Sequence, residues 1–211
     1  MGSCERRLRL DVPADVAWEW MRVPKNLFSV NIFHADVEFD EPELHVGSVV
    51  RVPHDFFGAF KQERQSKVRE FRKYFVAYGE HKVPSAPGKD SFPHSQSFEV
   101  VPIDDHSCEL VNRLTGKYIF PGSKYFGERL FRRYMPVILD DDNQVIAAGC
   151  GAIESADVKT PKGLLLWPLM ASAARFTKKS TRRDLLAAKQ VQEAKRAATS
   201  AEATAGAPDG D

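Results

Sequence analysis

Six histidines, His34, His45, His54, His81, His94 and His106, are the residues of this 211-residue chain best suited to moving protons or holding a metal. None stands in an HxxH or HExxH spacing, the arrangements that place two imidazoles on one helix face. The expectation from local spacing is therefore no metal site and no cofactor. His34 is kept as a candidate ligand contact, although its place on the polar side of an alternating stretch reads more simply as solvated. Asp140, Asp141 and Asp142 could attract a hard cation, but consecutive side chains on a turn point apart, and capping of a helix restart near Asp142 or Asn143 explains them better. Cys4, Cys108 and Cys150 are odd in number, widely spaced and without a CxxC pair, which argues against a disulfide framework and fits a reducing, cytoplasmic setting. Cys108 reads as a small core residue, and no Ser-His-Asp or Cys-His set can be assembled. Four long side chains with polar tips, Tyr74, Tyr78, Arg113 and Tyr118, fall on expected strands. Each either orients the polar end of a ligand or packs with its tip at a rim.

The elements that must position these groups are legible as hydropathy periods. Leu8, Leu10 and Val12 alternate with Arg7, Arg9 and Asp11, giving a half-buried strand that Pro13 stops. Val16 with Trp20 and Ala17 with Met21 then set a helical stripe, and a short second helix is expected at Pro24–Phe28. Phe33, Ala35, Val37 and Phe39 alternate with polar residues as a further strand, and Ser48–Val52 follows a turn at Pro42–Gly47. Between Lys61 and Tyr78 the pattern is ambiguous, and aromatic and β-branched content favours strand. Pro84–Pro93 reads as a loop, and Ser95–Val101 and Ser107–Thr115 as a hairpin. Beyond Gly116 the period lengthens, with Phe126, Leu130, Tyr134, Val137 and Ile138 on one stripe. A long C-terminal helix is expected from near Gly122 or Ser123, kinked at Pro136 and broken at the acidic run.

Charge divides the chain. Residues 1–155 carry net −3, residues 156–199 net +7 and residues 200–211 net −3, for a total of +1. The balance lacks the footprint of a non-specific nucleic-acid binder. Residues 200–211 have no large apolar side chain and are expected to be a disordered tail. Residues 156–199 form a basic extension with an expected helix opened by Thr181-Arg182-Arg183-Asp184. Within it Leu165 and Trp167 precede Arg175, Lys178 and Lys179, an apolar anchor with a cationic flank. That pairing suits an anionic membrane surface or a partner at 164–183, and packing on the domain is the plainer alternative. Neither an N-terminal leader nor a spanning apolar run is expected from the residues present.

Strand, helix pair, antiparallel strands and one long helix, in that order, with Leu8–Trp18, Pro24–Leu27 and Leu44–Val50 and its glycine, resemble the START/Bet v 1/polyketide-cyclase superfamily, SRPBCC. The likeness covers residues 6–155. It implies an α+β helix-grip fold, a curved antiparallel sheet wrapped around a long C-terminal helix with a cavity between them. The function it implies is binding or transfer of a hydrophobic small molecule, lipid, sterol or polyketide-like. Trp20 and Phe126 are then candidates for apolar wall beside His34, Tyr74, Tyr78, Arg113 and Tyr118. The alternatives are a cyclase or dehydratase using the same cavity, or a membrane-associated interaction protein. Rieske-type oxygenases share the helix-grip architecture and complete an iron site with an aspartate on the last helix. Here their paired histidines and cluster motif are missing.

Overall fold

The computed structural model describes residues 1–31, 33–34, 37–39, 41, 43–56, 60–90, 92–117 and 124–153. Tyr118, the side chain of Phe126, and Leu165, Trp167, Arg175, Lys178 and Lys179 lie outside the described residues. The chain runs β1 (Gly2–Leu10), α1 (Ala14–Met21), α2 (Pro24–Ser29), β2 (Val49–Arg51), β3 (His54–Phe56), β4 (Phe60–Gln62), β5 (Arg64–Arg72), β6 (Phe75–Lys82), β7 (His94–Pro102), β8 (Cys108–Gly116) and α3 (Lys124–Gly149). Six strands pair antiparallel in the order β1-β8-β7-β6-β5-β2, and β3 with β4 forms a separate hairpin. The sheet curves around α3, which packs chiefly on β1 and β8. A register shift between Val68 and Glu70 on β5 adds to the bend.

Local chemistry explains the opening. The carbonyl of Pro13 accepts from the amides of Val16 and Ala17, so the residue that ends β1 also starts α1. Ala14, Ala17, Trp18 and Met21, at i, i+3, i+4 and i+7, form the buried stripe of α1. Pro24 opens α2 at its first turn, where the missing N–H costs nothing. The β7–β8 hairpin pairs from His94↔Gly116 to Pro102↔Cys108. Its connection is closed by the amides of Ile103 and Asp104 on the Ser107 carbonyl.

Two expectations are corrected and a third is refined. The Phe33–Phe39 stretch forms no continuous strand among its described residues. It makes isolated bridges, His34↔His54 and Glu38↔Arg51, because it crosses the sheet edge to reach β3 instead of running along a neighbour. The Lys61–Tyr78 region is strand, as expected, but divided among the end of β4, β5 and the start of β6, and the turn between β5 and β6 holds Tyr74 at φ 68°, the left-handed region that non-glycine residues seldom occupy. Finally α3 does not restart at the acidic run. The helix is continuous to Gly149, and Asp141, Asp142 and Asn143 are 3, 0 and 2 % exposed inside it. Ile138 and Ile146 lie eight residues apart across Asp142, as Leu139 and Ala147 do across Asn143, so one helical period spans the polar run.

Two apolar clusters fill the clasp. The larger gathers Leu10, Trp18, Met21, Phe28, Val76, Phe98, Leu110 and Ile146 with their neighbours. The smaller joins Leu114 to Phe131, Met135, Ile138 and Leu139 of α3. Between and beyond them the inner face of the sheet becomes polar.

Candidate functional site

Glu80 stands on the inner face near the end of β6. Across the sheet it is paired with Ser66 on β5 and His94 on β7, and beyond His94 comes Gly116. A Cβ at Gly116 would lie 2.6 Å from that of His94, so the glycine leaves the imidazole its place. The Glu80 side chain is fully buried. Its Oε1 accepts from Arg64 Nε at 2.7 Å and its Oε2 from Ser66 Oγ at 3.2 Å. Arg64 is held in turn by Gln62 Oε1 at 2.9 Å, Asp90 Oδ1 at 2.9 Å and the Phe92 carbonyl at 2.7 Å.

Three histidines converge on the same carboxylate. His34 Nε2 lies 3.4 Å and His94 Nε2 3.7 Å from Oε2, and His54 Nε2 lies 3.0 Å from Oε1. Their side chains are 3, 5 and 7 % exposed. The rings of His34 and His54 are 4.6 Å apart at 38°. The ligating atoms of His34, His54 and Glu80 all fall within 4.8 Å of one another. His34 Nδ1 faces the carbonyl of Phe28, just before the end of α2, and His94 Nδ1 faces the carbonyl of Phe92 at 3.0 Å. A carbonyl only accepts, so both Nδ1 atoms carry hydrogen and both Nε2 atoms are turned to Glu80.

Electrostatics follow from burial. Desolvation pulls His94 below the usual imidazole value and His54 down to about 4, in each case against the attraction of Glu80. For Glu80 burial alone would raise the value. The charges and hydrogen bonds of His54, His94 and His34 outweigh it and hold the carboxyl well below the ordinary range.

A second polar chain runs from this knot to α3. Tyr78 Oη donates to Gln96 Oε1 at 2.9 Å, and Gln96 Nε2 donates to Asn112 Oδ1 at 2.9 Å and Asp142 Oδ2 at 3.2 Å. Burial, then Glu80 and Asp142, push the Tyr78 hydroxyl well above its usual value, so it stays a donor. A cavity of about 690 Å³ opens at the same end of the sheet, and Glu80 and His94 belong to its wall with Arg69, Lys117, Glu128 and Phe131. Charged groups and imidazole thus share the cavity wall with the ring of Phe131.

The structure sorts the candidates read from sequence. His34 is buried in the knot, which corrects its expected solvated place: its segment enters beneath β3 instead of presenting a polar outer edge. Tyr78 is buried beside Glu80. Tyr74 sits at the β5–β6 turn, donates to Asp15 at 2.9 Å and packs edge-on to Trp18, away from the cavity wall. Trp20 packs against α3 at Gly149, where an added Cβ would meet its ring at 2.2 Å. Arg113 lies on the outer face between Glu5 (2.7 Å) and Glu99 (2.6 Å), an ion-pair ladder on the side of β8 opposite Asn112. Glu80, Arg64, Gln96 and Asn112 were missed, and His54, His94 and Asp142 were weighed but assigned to no site. The absence of a local histidine motif concealed the meeting of His34, His54, Glu80 and His94, which come from four separate segments. A usable signal existed in the strand phase. Arg64 and Ser66 share the inward phase of Val68, Glu80 that of Val76 and Tyr78, and Gln96 that of Phe98 and Val100. Polar residues in the inward phase are costly unless partnered, and here they mark the site.

No protein-family model matches this chain, and no curated protein matches it. Solved structures do. The chain is similar to the Zhui aromatase/cyclase from Streptomyces sp. R1128, with a TM-score of 0.57 at 15 % identity over 71 % of this chain and 93 % of that one. A START superfamily protein from Mycobacterium smegmatis gives 0.55 at 11 % over 71 % and 97 %. The di-domain ARO/CYC StfQ from the steffimycin biosynthetic pathway gives 0.54 at 12 % over 69 % of this chain and 49 % of that one. No helix among the described residues is long and apolar enough to cross a membrane. At these identities the likeness is one of architecture, and it agrees with the strand order and the clasped helix: this chain has the helix-grip fold seen in those structures.

Proposed function

We propose that this chain binds a small molecule with an apolar body and a polar end in the cavity beside Glu80 and His94, and acts on that polar end by proton transfer, as a cyclase or dehydratase would. The observation that carries the reading is one pair: a buried histidine and a buried carboxylate 3.7 Å apart, both in the cavity wall. The Nδ1–H of His94 is committed to the Phe92 carbonyl, so its Nε2 is the basic atom. A proton taken there would form an imidazolium whose charge Glu80, beside the same nitrogen, stabilises, while the Phe92 carbonyl holds the ring from behind. Arg69 and Lys117 add positive charge to the rim, suited to a ligand whose polar end is a carbonyl, enol or carboxylate. That two of the similar structures are aromatase/cyclases supports the class. A simple carrier, the other reading, would be better served by an apolar wall than by a histidine–glutamate pair.

The experiment is native mass spectrometry of the full chain purified from its own host, with extraction and identification of any bound molecule, then turnover of that molecule by wild type and His94→Gln. General-base loss should cost about 10²–10⁴-fold in rate while retention of the molecule persists. A molecule bound but never altered by the wild type would leave the carrier reading. No retained small molecule, together with no ligand-induced shift from a panel of aromatic polyketides and sterols, would remove both.

A further inference from the structure

We propose that His34 Nε2, His54 Nε2 and the Glu80 carboxylate form a binding site for one divalent first-row transition ion of the zinc class. The starting point is a clash of acceptors. His34 must carry its hydrogen on Nδ1, because that atom faces the Phe28 carbonyl. Its Nε2 in the neutral ring is then a bare lone pair, and it faces Glu80 Oε2 at 3.4 Å. The same holds for His94, whose Nδ1 faces the Phe92 carbonyl and whose Nε2 lies 3.7 Å from the same oxygen. Lone pairs aimed at a carboxylate are satisfied only by something positive between them. Protons are one answer; a divalent ion brings the same total charge but leaves the rings neutral and bonds directly to their lone pairs. Burial opposes ionised rings there, the His34, His54 and His94 side chains being 3, 7 and 5 % exposed. One cation shared by His34, His54 and Glu80 answers the His34 lone pair, while His94 is left facing the cavity.

The geometry suits such an ion. Donors on a tetrahedral centre with bonds of about 2.0–2.2 Å stand about 3.3–3.6 Å apart. His34 Nε2 stands 3.4 Å from Oε2 and His54 Nε2 3.0 Å from Oε1, so each carboxylate oxygen faces one imidazole, and the donor atoms as a set lie within 4.8 Å of one another. Imidazole nitrogens with one carboxylate are a donor set for zinc-like or iron(II)-like ions and a poor one for magnesium or calcium. The outer partners are those a metal site requires. The Nδ1–H of His34 is fixed by a backbone carbonyl, and the Glu80 oxygens are oriented by Ser66 Oγ and Arg64 Nε. Asp90, 2.9 Å from Arg64, offsets the guanidinium charge that would otherwise repel the ion. Three protein donors leave a fourth position, and the cavity that Glu80 helps to wall gives it access. The site does not depend on the proton-transfer reading, which rests on His94.

The test uses the full chain, stripped with chelator and titrated with Zn²⁺ and, separately, Co²⁺. Expected are one equivalent bound, the visible absorption of a four- or five-coordinate Co²⁺ centre, and X-ray absorption of the Zn²⁺ form fitted by at least two imidazoles. His54→Gln and His34→Gln should each weaken Zn²⁺ affinity at least about tenfold, while His106→Gln, at the exposed β7–β8 turn, should not. His94→Gln should leave one equivalent of Zn²⁺ bound whatever it does to turnover, so the two proposals fail separately. Fewer than two imidazoles around the metal, equal affinity in the His34, His54 and His106 variants, or no stoichiometric binding by wild type would overturn the site. The X-ray absorption result stands even if a variant misfolds.

Discussion

Replacing Arg64 with methionine removes the group that holds the buried knot together, and the structure fixes the size of the effect. Arg64 is 1 % exposed and makes four close contacts, to Glu80, Asp90, Gln62 and the Phe92 carbonyl. Methionine fills much of the same volume, so the loss is chiefly electrostatic. Glu80 would remain at 0 % exposure without its 2.7 Å partner. Stranding one member of a buried pair costs about 3–5 kcal/mol. A chain of this size loses about 2–4 °C of Tm for each kcal/mol, so the expected drop is about 6–20 °C. Urea unfolding of the full chain followed by circular dichroism gives the free energy, and a thermal scan gives the second reading. The double variant Arg64→Met/Glu80→Gln removes both charges and should be less damaging than the sum of the singles, with a coupling of about 1–3 kcal/mol. An Arg64→Met loss below about 1 kcal/mol, or strict additivity in the cycle, would mean that the pair is not the buried, mutually dependent one described and would refute the reasoning.

Gly149→Ala should destabilise by about 1–2 kcal/mol, because the clash of its Cβ with the Trp20 ring at 2.2 Å exceeds the gain of about 1 kcal/mol in helix propensity; a stabilised variant in urea would show that Trp20 moves aside freely. Asp90 has a folded value below its ordinary 3.8, since its bonds from the Lys82 and Phe92 amides and Arg64 outweigh the effect of burial. Its stabilisation is therefore present above the ordinary value and lost as pH falls through the folded one, so the gap between wild type and Asp90→Asn should be open at pH 7 and close in acid. A gap that widened in acid would contradict that sign. Cys108, pushed up to about 11 by burial and fully enclosed, should react with a thiol reagent at pH 8 only after the half-buried Cys4; mass spectrometry of timed samples reads the order.

The architecture was legible where one period governed a whole segment. The i, i+3, i+4, i+7 stripe of α1 and the alternation of β7 and β8 are each decided by burial of one face, so their ends fall close to those expected. Reading failed where tertiary contact overrode the local pattern. Tyr74 turns the chain although it is neither glycine nor asparagine, held there by Asp15 and Trp18 across the domain. The acidic run of α3 looked like a break because three polar residues in a row suggest solvent, whereas neighbours enclose the helix on nearly every side from Asp141 to Cys150. The site was illegible by spacing alone: His34, His54, Glu80 and His94 meet only because β6 and β7 pair in register and β3 folds over their ends. What could have been read was the phase of Glu80 and Gln96, polar residues standing where alternation demands apolar ones.

Pro136 gives α3 an uneven stiffness along its length. It supplies no amide to the carbonyl one turn earlier, so bending compliance is concentrated at that point. The two sides of this joint are anchored differently. Downstream, Asp142 is tied to Gln96 and the helix is locked into the sheet; upstream, Phe131 and Glu128 border the cavity mouth. Thermal flexing of the helix is thereby directed into the segment that frames the opening, and the fastened segment acts as its mechanical ground.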